Sequence, residues 1–265
     1  MIFLKIGGSL ITDKTQAETA RPDVIARLGA EVAQAVAENP SLRLVMGNGS
    51  GSFGHVAAAK HGTRQGVSSP ENWLGFAEVS DAAIRINALV RGILRQAGVP
   101  AVSVTASASA LCQDGQIVSM ATEPIRRLCQ NGLVPLLHGD VAFDDVRGGT
   151  IISTEEILSF ISADLRPTWI LLAGETEGVY DLEGNLIPII SPENLEEIRP
   201  ALGGSRGTDV TGGMLTKVES MLGLAKATGA RIRIFDGRVP GRLFEILRAN
   251  GQYTTGTIIT TSSSA

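Results

Sequence analysis

Three glycine-rich segments of this 265-residue chain each carry a cation or a group that can become one. Gly47-Asn48-Gly49-Ser50-Gly51-Ser52-Phe53-Gly54-His55 follows the apolar run Leu42–Met46 and ends on a histidine. Lys5-Ile6-Gly7-Gly8-Ser9 leads through a short apolar stretch to Lys14. Gly207-Thr208-Asp209-Val210-Thr211-Gly212-Gly213 runs into a helix near Met214 that carries Lys217. Glycine reaches φ > 0 and lets a ligand approach main-chain N–H groups with no Cβ in the way. A helix opening near Gly54 adds the positive end of its dipole at the same spot. One such loop alone is a tight strand-to-helix turn. Three of them, with Lys5, Lys14 and Lys217, suit a site that joins two phosphorylated molecules. Lys5 carries most of the argument, because it lies in an otherwise apolar strand, where an uncompensated ammonium is costly. At the carboxyl end of an open sheet, where ligands bind, it has a reason to be there.

Two familiar phosphate-binding patterns fit less well. Gly8 to Thr15 is spaced like a nucleotide-hydrolase phosphate loop, but Asp13 stands where glycine is needed before Lys14 and would turn a carboxylate on the phosphates. Gly49-x-Gly51-x-x-Gly54 has the dinucleotide spacing, yet a histidine just after its last glycine is not expected where the helix packs tightly on the strand. The ribose-binding acid of such a site should follow a strand near residue 70, and Glu71 follows a Ser/Pro loop. His61 and His138 read as ordinary residues, and Lys60 and Lys226 as solvated charges.

The bulk composition narrows the partners. A net charge of −4 leaves no basic stripe for a nucleic-acid backbone, so anionic substrates must be met by local lysines and N–H groups. With 43% hydrophobic and 19% charged residues the chain is expected to fold around a large core. Cys112 and Cys129, with no histidine nearby, suggest neither a metal site nor a disulfide framework, and fit a cytoplasmic setting. No apolar run approaches the ~20 residues of a membrane span. The apolar N-terminal stretch is broken by Lys5 and Gly7-Gly8, unlike a signal peptide.

The elements that must position these residues alternate. Strands are expected at 2–6, 42–46, 101–105, 133–137, 169–173, 232–235 and 256–260, mostly continuous apolar runs of the kind buried on both faces. Amphipathic helices are expected at 22–38, 74–96, 123–130, 151–164 and 213–228, the last closed by Gly229. Ser153-Thr154-Glu155-Glu156 offers capping chemistry, and Gly115-Gln116 and Glu183-Gly184-Asn185 read as hairpin turns. The fold class is therefore α/β, a mostly parallel sheet with helices on both faces. A soft boundary near Asp164–Thr168 separates 1–165 from 166–265 within one structural domain. The last residues of the tail are expected to fray.

Lys5-Ile6-Gly7-Gly8-Ser9, Ser52-Phe53-Gly54-His55, His138-Gly139-Asp140-Val141, Gly178-Val179-Tyr180-Asp181 and Asp209-Val210-Thr211-Gly212-Gly213-Met214 together resemble the amino acid kinase superfamily. Within it they are similar to the isopentenyl phosphate kinase family, in order along essentially the whole chain. The resemblance implies an open αβα sandwich, usually a homodimer, that phosphorylates isopentenyl phosphate to isopentenyl diphosphate with ATP and Mg²⁺. The N-terminal lobe would hold the acceptor and the C-terminal lobe ATP. Lys5, Lys14, His55, Lys217 and Glu155 would be catalytic. Gly7, Gly8, Ser9, Gly51, Glu175, Tyr180 and Gly213, with Lys5 and Lys217, would meet the nucleotide. Ser50, Gly54, His55, Ser153 and Thr154 would hold the acceptor phosphate, and the Leu74–Ile86 helix would wall its apolar tail.

The chain departs from the family pattern in places. Ser153-Thr154-Glu155-Glu156 stands where Ser-Gly-Asp-Asp is common, Glu175-Thr176-Glu177 where Asp-x-Asp is, and Asn48 where a histidine often is. The acids keep their charge. A kinase of another small acid, such as fosfomycin or an N-acetylated amino acid, and a non-catalytic nucleotide-binding module remain as alternatives.

Overall fold

The apolar runs of the sequence become the middle of one large sheet. The computed structural model describes residues 1–202 and 213–262. In chain order the first elements are β1 (Ile2–Ile6), α1 (Gly8–Ile11), α2 (Pro22–Glu38), β2 (Leu44–Asn48), α3 (Gly51–His61) and α4 (Pro70–Gln96). Next come β3 (Ala101–Ser103), β4 (Leu111–Gln113), β5 (Gln116–Ser119), α5 (Glu123–Gln130), β6 (Val134–His138), β7 (Asp140–Asp144), β8 (Gly148–Ile152) and α6 (Thr154–Leu165). The remainder is β9 (Trp169–Gly174), β10 (Val179–Tyr180), β11 (Leu186–Ile187), β12 (Ile189–Ile190), α7 (Leu195–Leu202), α8 (Gly213–Thr228), β13 (Arg231–Asp236), α9 (Arg242–Arg248) and β14 (Thr257–Ile259).

Among the described residues eight strands form one sheet in the order β12-β14-β13-β9-β1-β2-β6-β3. All its neighbours run parallel except β13 and β14. Residues from before and after position 165 therefore share one sheet, with β1 at its centre between β2 and β9. Ile2, Leu4 and Ile6 pack with α2, α4 and α9 on one face, and Phe3 and Val45 pack with α5, α6 and α8 on the other. Burial on both faces explains why these strands show no polar alternation. The α/β sandwich expected from the sequence is present.

Several boundaries move for identifiable reasons. The second strand starts at Leu44, because the Leu42 N–H bonds the Asn39 carbonyl at the end of α2. Ile151 and Ile152 belong to β8, paired with Val141 and Asp140, so the helix expected from 151 begins at Thr154. The fourth helix starts four residues early, at Pro70, where the Ser69 side chain caps the Asn72 N–H. A second sheet, β5-β4-β7-β8, was not foreseen as a sheet, although its Asp114-Gly115 turn has both φ positive (49° and 79°), as a tight hairpin requires. Cys112 and Cys129 are buried and free.

Candidate active site

Since β1 and β2 are adjacent and parallel, the loops that follow them leave the sheet side by side. The Gly49 N–H bonds the Ile6 carbonyl at 2.9 Å. A methyl on Gly8 would lie 2.4 Å from the Gly51 nitrogen, and one on Gly49 would lie 2.6 Å from the Gly8 nitrogen. The two loops thus interlock backbone against backbone, which only glycine permits. The Thr12 hydroxyl pins them, donating to the Gly8 carbonyl (2.8 Å) and accepting from the Ser52 N–H (3.0 Å). Gly7 bonds the Ala173 carbonyl of β9, so a third loop joins the junction. Ser50 lies just before α3, and Gly54 and His55 lie in its first turns. The His55 side chain lies outside the described residues.

Lys5 shares its strand face with Phe3 and so points toward α6, where it pairs with Glu155. The Lys5 side chain is 16% exposed and that of Glu155 46%, so the pair adds little to stability and serves chiefly to hold the ammonium in place. Helix α6 is firmly seated. Ser153 Oγ accepts from the Glu156 N–H (3.1 Å), the Glu156 carboxylate accepts from the Ser153 N–H (2.5 Å), and Arg64 bonds Glu156 at 2.6 Å. Packing around Glu155 opposes its ionisation. Lys5, with a smaller contribution from Lys217 on α8, outweighs that and keeps the carboxyl below its ordinary range. Lys5, Glu155 and Lys217 therefore belong to one electrostatic group. The Gly207–Gly212 loop expected ahead of Lys217 lies outside the described residues, and Gly213 opens α8.

Thr154 turns inward. It is 2% exposed, its hydroxyl donates to the Asn48 carbonyl (2.8 Å), and its methyl lies 2.5 Å from where a Cβ on Gly47 would be. The threonine side chain is accommodated beneath the β2 loop. Asn48 is itself fully buried, and accepts from Asn87 of α4 at 2.9 Å.

On the other flank, Glu175 pairs with Arg21 (3.0 Å), which also bonds the Ser9 carbonyl, and Glu177 pairs with Arg242. Arg238 forks onto Asp236 at 2.7 Å, and the charge of Glu175 also acts on it. Arg21 and Arg242 carry no local motif and lie far from their partners in sequence, so no local pattern marks them. Tyr180, in β10, is 43% exposed. Lys14 stands apart from the Lys5 group, on an exposed turn between α1 and α2.

Between α4 and β7 a cleft of about 410 Å³ is lined by Phe76, Ser80, Ile84, Val141 and Phe143. Trp73, Phe76 and Phe143 cluster at its mouth in edge-on and tilted contacts, with centroids 5.3–5.8 Å apart. Behind it Asp140 accepts from the Ser107 N–H (3.0 Å), and His138 is buried with neither ring nitrogen hydrogen-bonded. A larger hollow of about 640 Å³, between β3 and α5, contains none of the site residues named above.

A profile described as the amino acid kinase family matches residues 1–236. The chain belongs to the amino acid kinase family. Among curated members of the family, it is 32% identical to an isopentenyl phosphate kinase of Methanothermobacter thermautotrophicus over 98% of this chain and 99% of the relative. It is 36% identical to that of Haloferax volcanii over 89% and 91%. A solved isopentenyl phosphate kinase superposes with a TM-score of 0.81 at 28% identity, covering 98% of this chain and all of the other. Within the described residues of this amino acid kinase, no helix is long and apolar enough to cross a membrane.

Proposed function

We propose that this chain transfers the γ-phosphoryl group of ATP to isopentenyl phosphate, giving isopentenyl diphosphate and ADP. The observation that carries the reading is Lys5, held by Glu155 on β1, the strand that leads into the interlocked Gly8 and Gly51. The near full-length likeness to isopentenyl phosphate kinases supplies the substrate.

An acceptor monoester is largely dianionic at neutral pH, so its oxygen is already a nucleophile and needs no strong base. It attacks the γ-phosphorus, the bond to the β–γ bridging oxygen breaks, and ADP leaves with that electron pair. The obstacle is charge: two unit charges 4 Å apart repel by ~4 kcal/mol at an effective dielectric of 20, and both partners carry more than one. Lys5, Lys14 and Lys217 offset this as charge spreads over the transferring group. Gly7, Gly8, Ser9, Gly51, Glu175, Tyr180 and Gly213 flank the nucleotide. Ser50, Gly54 and Thr154 cradle the acceptor phosphate through backbone N–H groups, Ser153, whose N–H is taken by the Glu156 carboxylate, contributes through its hydroxyl, and His55 donates to it. The α4–β7 cleft takes the isoprenoid tail. No cluster of three metal-ligating side chains occurs among the described residues, and Glu155 already pairs with Lys5. That donor set suits a Mg²⁺ carried on the nucleotide phosphates, where it supplies further charge neutralisation.

The reading assigns acceptor binding to residues 1–165 and ATP to 166–265, in a homodimer. The free cysteines agree with a cytoplasmic location. Coupled ADP release tests it, with isopentenyl phosphate, fosfomycin and N-acetylglutamate as acceptors. Turnover with isopentenyl phosphate alone is expected. Turnover with either of the others and none with isopentenyl phosphate would overturn it.

A further inference from the structure

Lys14 sits in a turn, Asp13–Thr19, that has no secondary structure of its own, yet several contacts hold it. At its base, Thr12 bridges Ala20 and the Asp13 N–H bonds the Thr19 carbonyl at 2.8 Å. Around the lysine, Asp13 Oδ1 accepts from the Thr15 N–H (2.8 Å) and hydroxyl (2.7 Å), so Lys14 is the middle residue of a closed Asx turn. Asp13, which stands where a phosphate loop needs glycine, builds this turn. Toward the far end Glu18 adopts φ +50°, a conformation unfavourable for a residue with a long side chain. Its carboxylate is gripped by both terminal nitrogens of Arg85, one at 2.8 Å, while Arg85 Nε bonds Asp81 at 2.8 Å. The next residue, Thr19, bonds Ser52 Oγ of α3 at 3.2 Å.

We infer that Arg85 and Glu18 are positioning residues for Lys14, fixing its turn against the helix that walls the acceptor cleft. The inference rests on the reading that Lys14 meets the transferring phosphoryl group. Arg85 lies one turn beyond Asp81, and Asp81 and Ile84 both line the cleft. The fork thus ties the lysine to the wall of the acceptor site. Asp81, Arg85 and Glu18 are 67%, 45% and 42% exposed, so the network contributes little to global stability. The planar fork gives direction, which a single ammonium cannot reproduce.

Two measurements test this. Hydrogen exchange of the 13–19 amides reads the clamp without reference to catalysis: Arg85→Ala should speed exchange there, while Tm stays close to the parent. Steady-state kinetics read the consequence: Arg85→Ala should lower kcat on the order of 10-fold, and Arg85→Lys should fall between. In a Lys14→Ala background the same substitution should cost nothing more. Unchanged exchange in Arg85→Ala overturns the clamp. A kcat loss equally large with and without Lys14, or no loss at all, overturns its action through Lys14. If the parent protein fails to turn over isopentenyl phosphate, the functional reading is at fault, and exchange still decides the clamp.

Discussion

Lys5 and Lys14 lie nine residues apart and are assigned to the same phosphoryl group, but opposite means hold them. Lys5 is carried by the central strand of the sheet, beside loops whose backbones interlock, and pairs with a capped helix. Lys14 is carried by an exposed turn fastened through side chains to α3 and α4. Backbone packing holds a group closely, because close-packed main chain has nowhere to go. A surface fork orients a segment yet lets it shift. One lysine is held by main chain, and the other by a clamp of surface side chains.

The largest effect should come from breaking the fixed side. Lys5→Ala should lower turnover by ~10²–10³, the loss seen when one preorganised transition-state donor is removed. The sharper form of the comparison is arginine at each place. Lys5→Arg should lose nearly as much as alanine, because neither strand nor Glu155 can make room, whereas Lys14→Arg should retain far more. Equal losses in the two arginine variants, measured as kcat, would erase the distinction.

Next in size is the interlock itself. Gly8→Ala places a methyl 2.4 Å from the Gly51 nitrogen, with backbone on both sides, so one loop must move. A cost of about 1–3 kcal/mol is expected, as for overpacking of a dense core. Chemical denaturation should show it, together with loss of activity. An alanine variant as stable and active as the parent would mean that the loops are not locked.

Much of this contrast was legible in the sequence. An ammonium in an apolar strand, and glycine loops after two strands, marked the Lys5 side, since burial and close approach restrict residue type. The helix Pro22–Glu38 was legible through its apolar period. What anchors Lys14 was not, because Glu18, Asp81 and Arg85 are ordinary surface residues until the fold brings them together. The same holds for Arg21 with Glu175 and Arg242 with Glu177. The inward turn of Thr154 was also hidden, since a sequence position next to a site does not tell which way its side chain points.

Thr154 gives a smaller test of the fixed side. Restoring the family glycine with Thr154→Gly should destabilise the protein by about 1–2 kcal/mol, through the lost hydrogen bond to Asn48 and the space left over Gly47. Catalysis should fall less than in Lys5→Ala, because the threonine side chain is buried beneath the β2 loop and only the Thr154 N–H is assigned to the phosphate. A higher Tm in the glycine variant would show that this residue strains the β2 loop.

The smallest expected effect concerns pH, and it separates the junction from the buried layer behind the cleft. Burial of His138 lowers its pKa from the ordinary value of 6.5, and Asp140, 3.9 Å away, opposes this only in part. The Ser80 hydroxyl and the Ser107 N–H also donate to Asp140. With the folded pKa below the unfolded one, the unfolded chain binds the proton more readily. The contribution of His138 to stability is then complete above about 6.5 and is lost as pH falls from there toward its lower folded value. Glu155 follows the same sign in a different window: its folded pKa is depressed, so the Lys5 pair persists until pH drops below the ordinary carboxylate range. Tm should therefore decline from about pH 6.5 downward with the Lys5–Glu155 pair intact, and His138→Gln should flatten that decline. A glutamine variant that keeps the full acid-side slope would place the titrating group elsewhere.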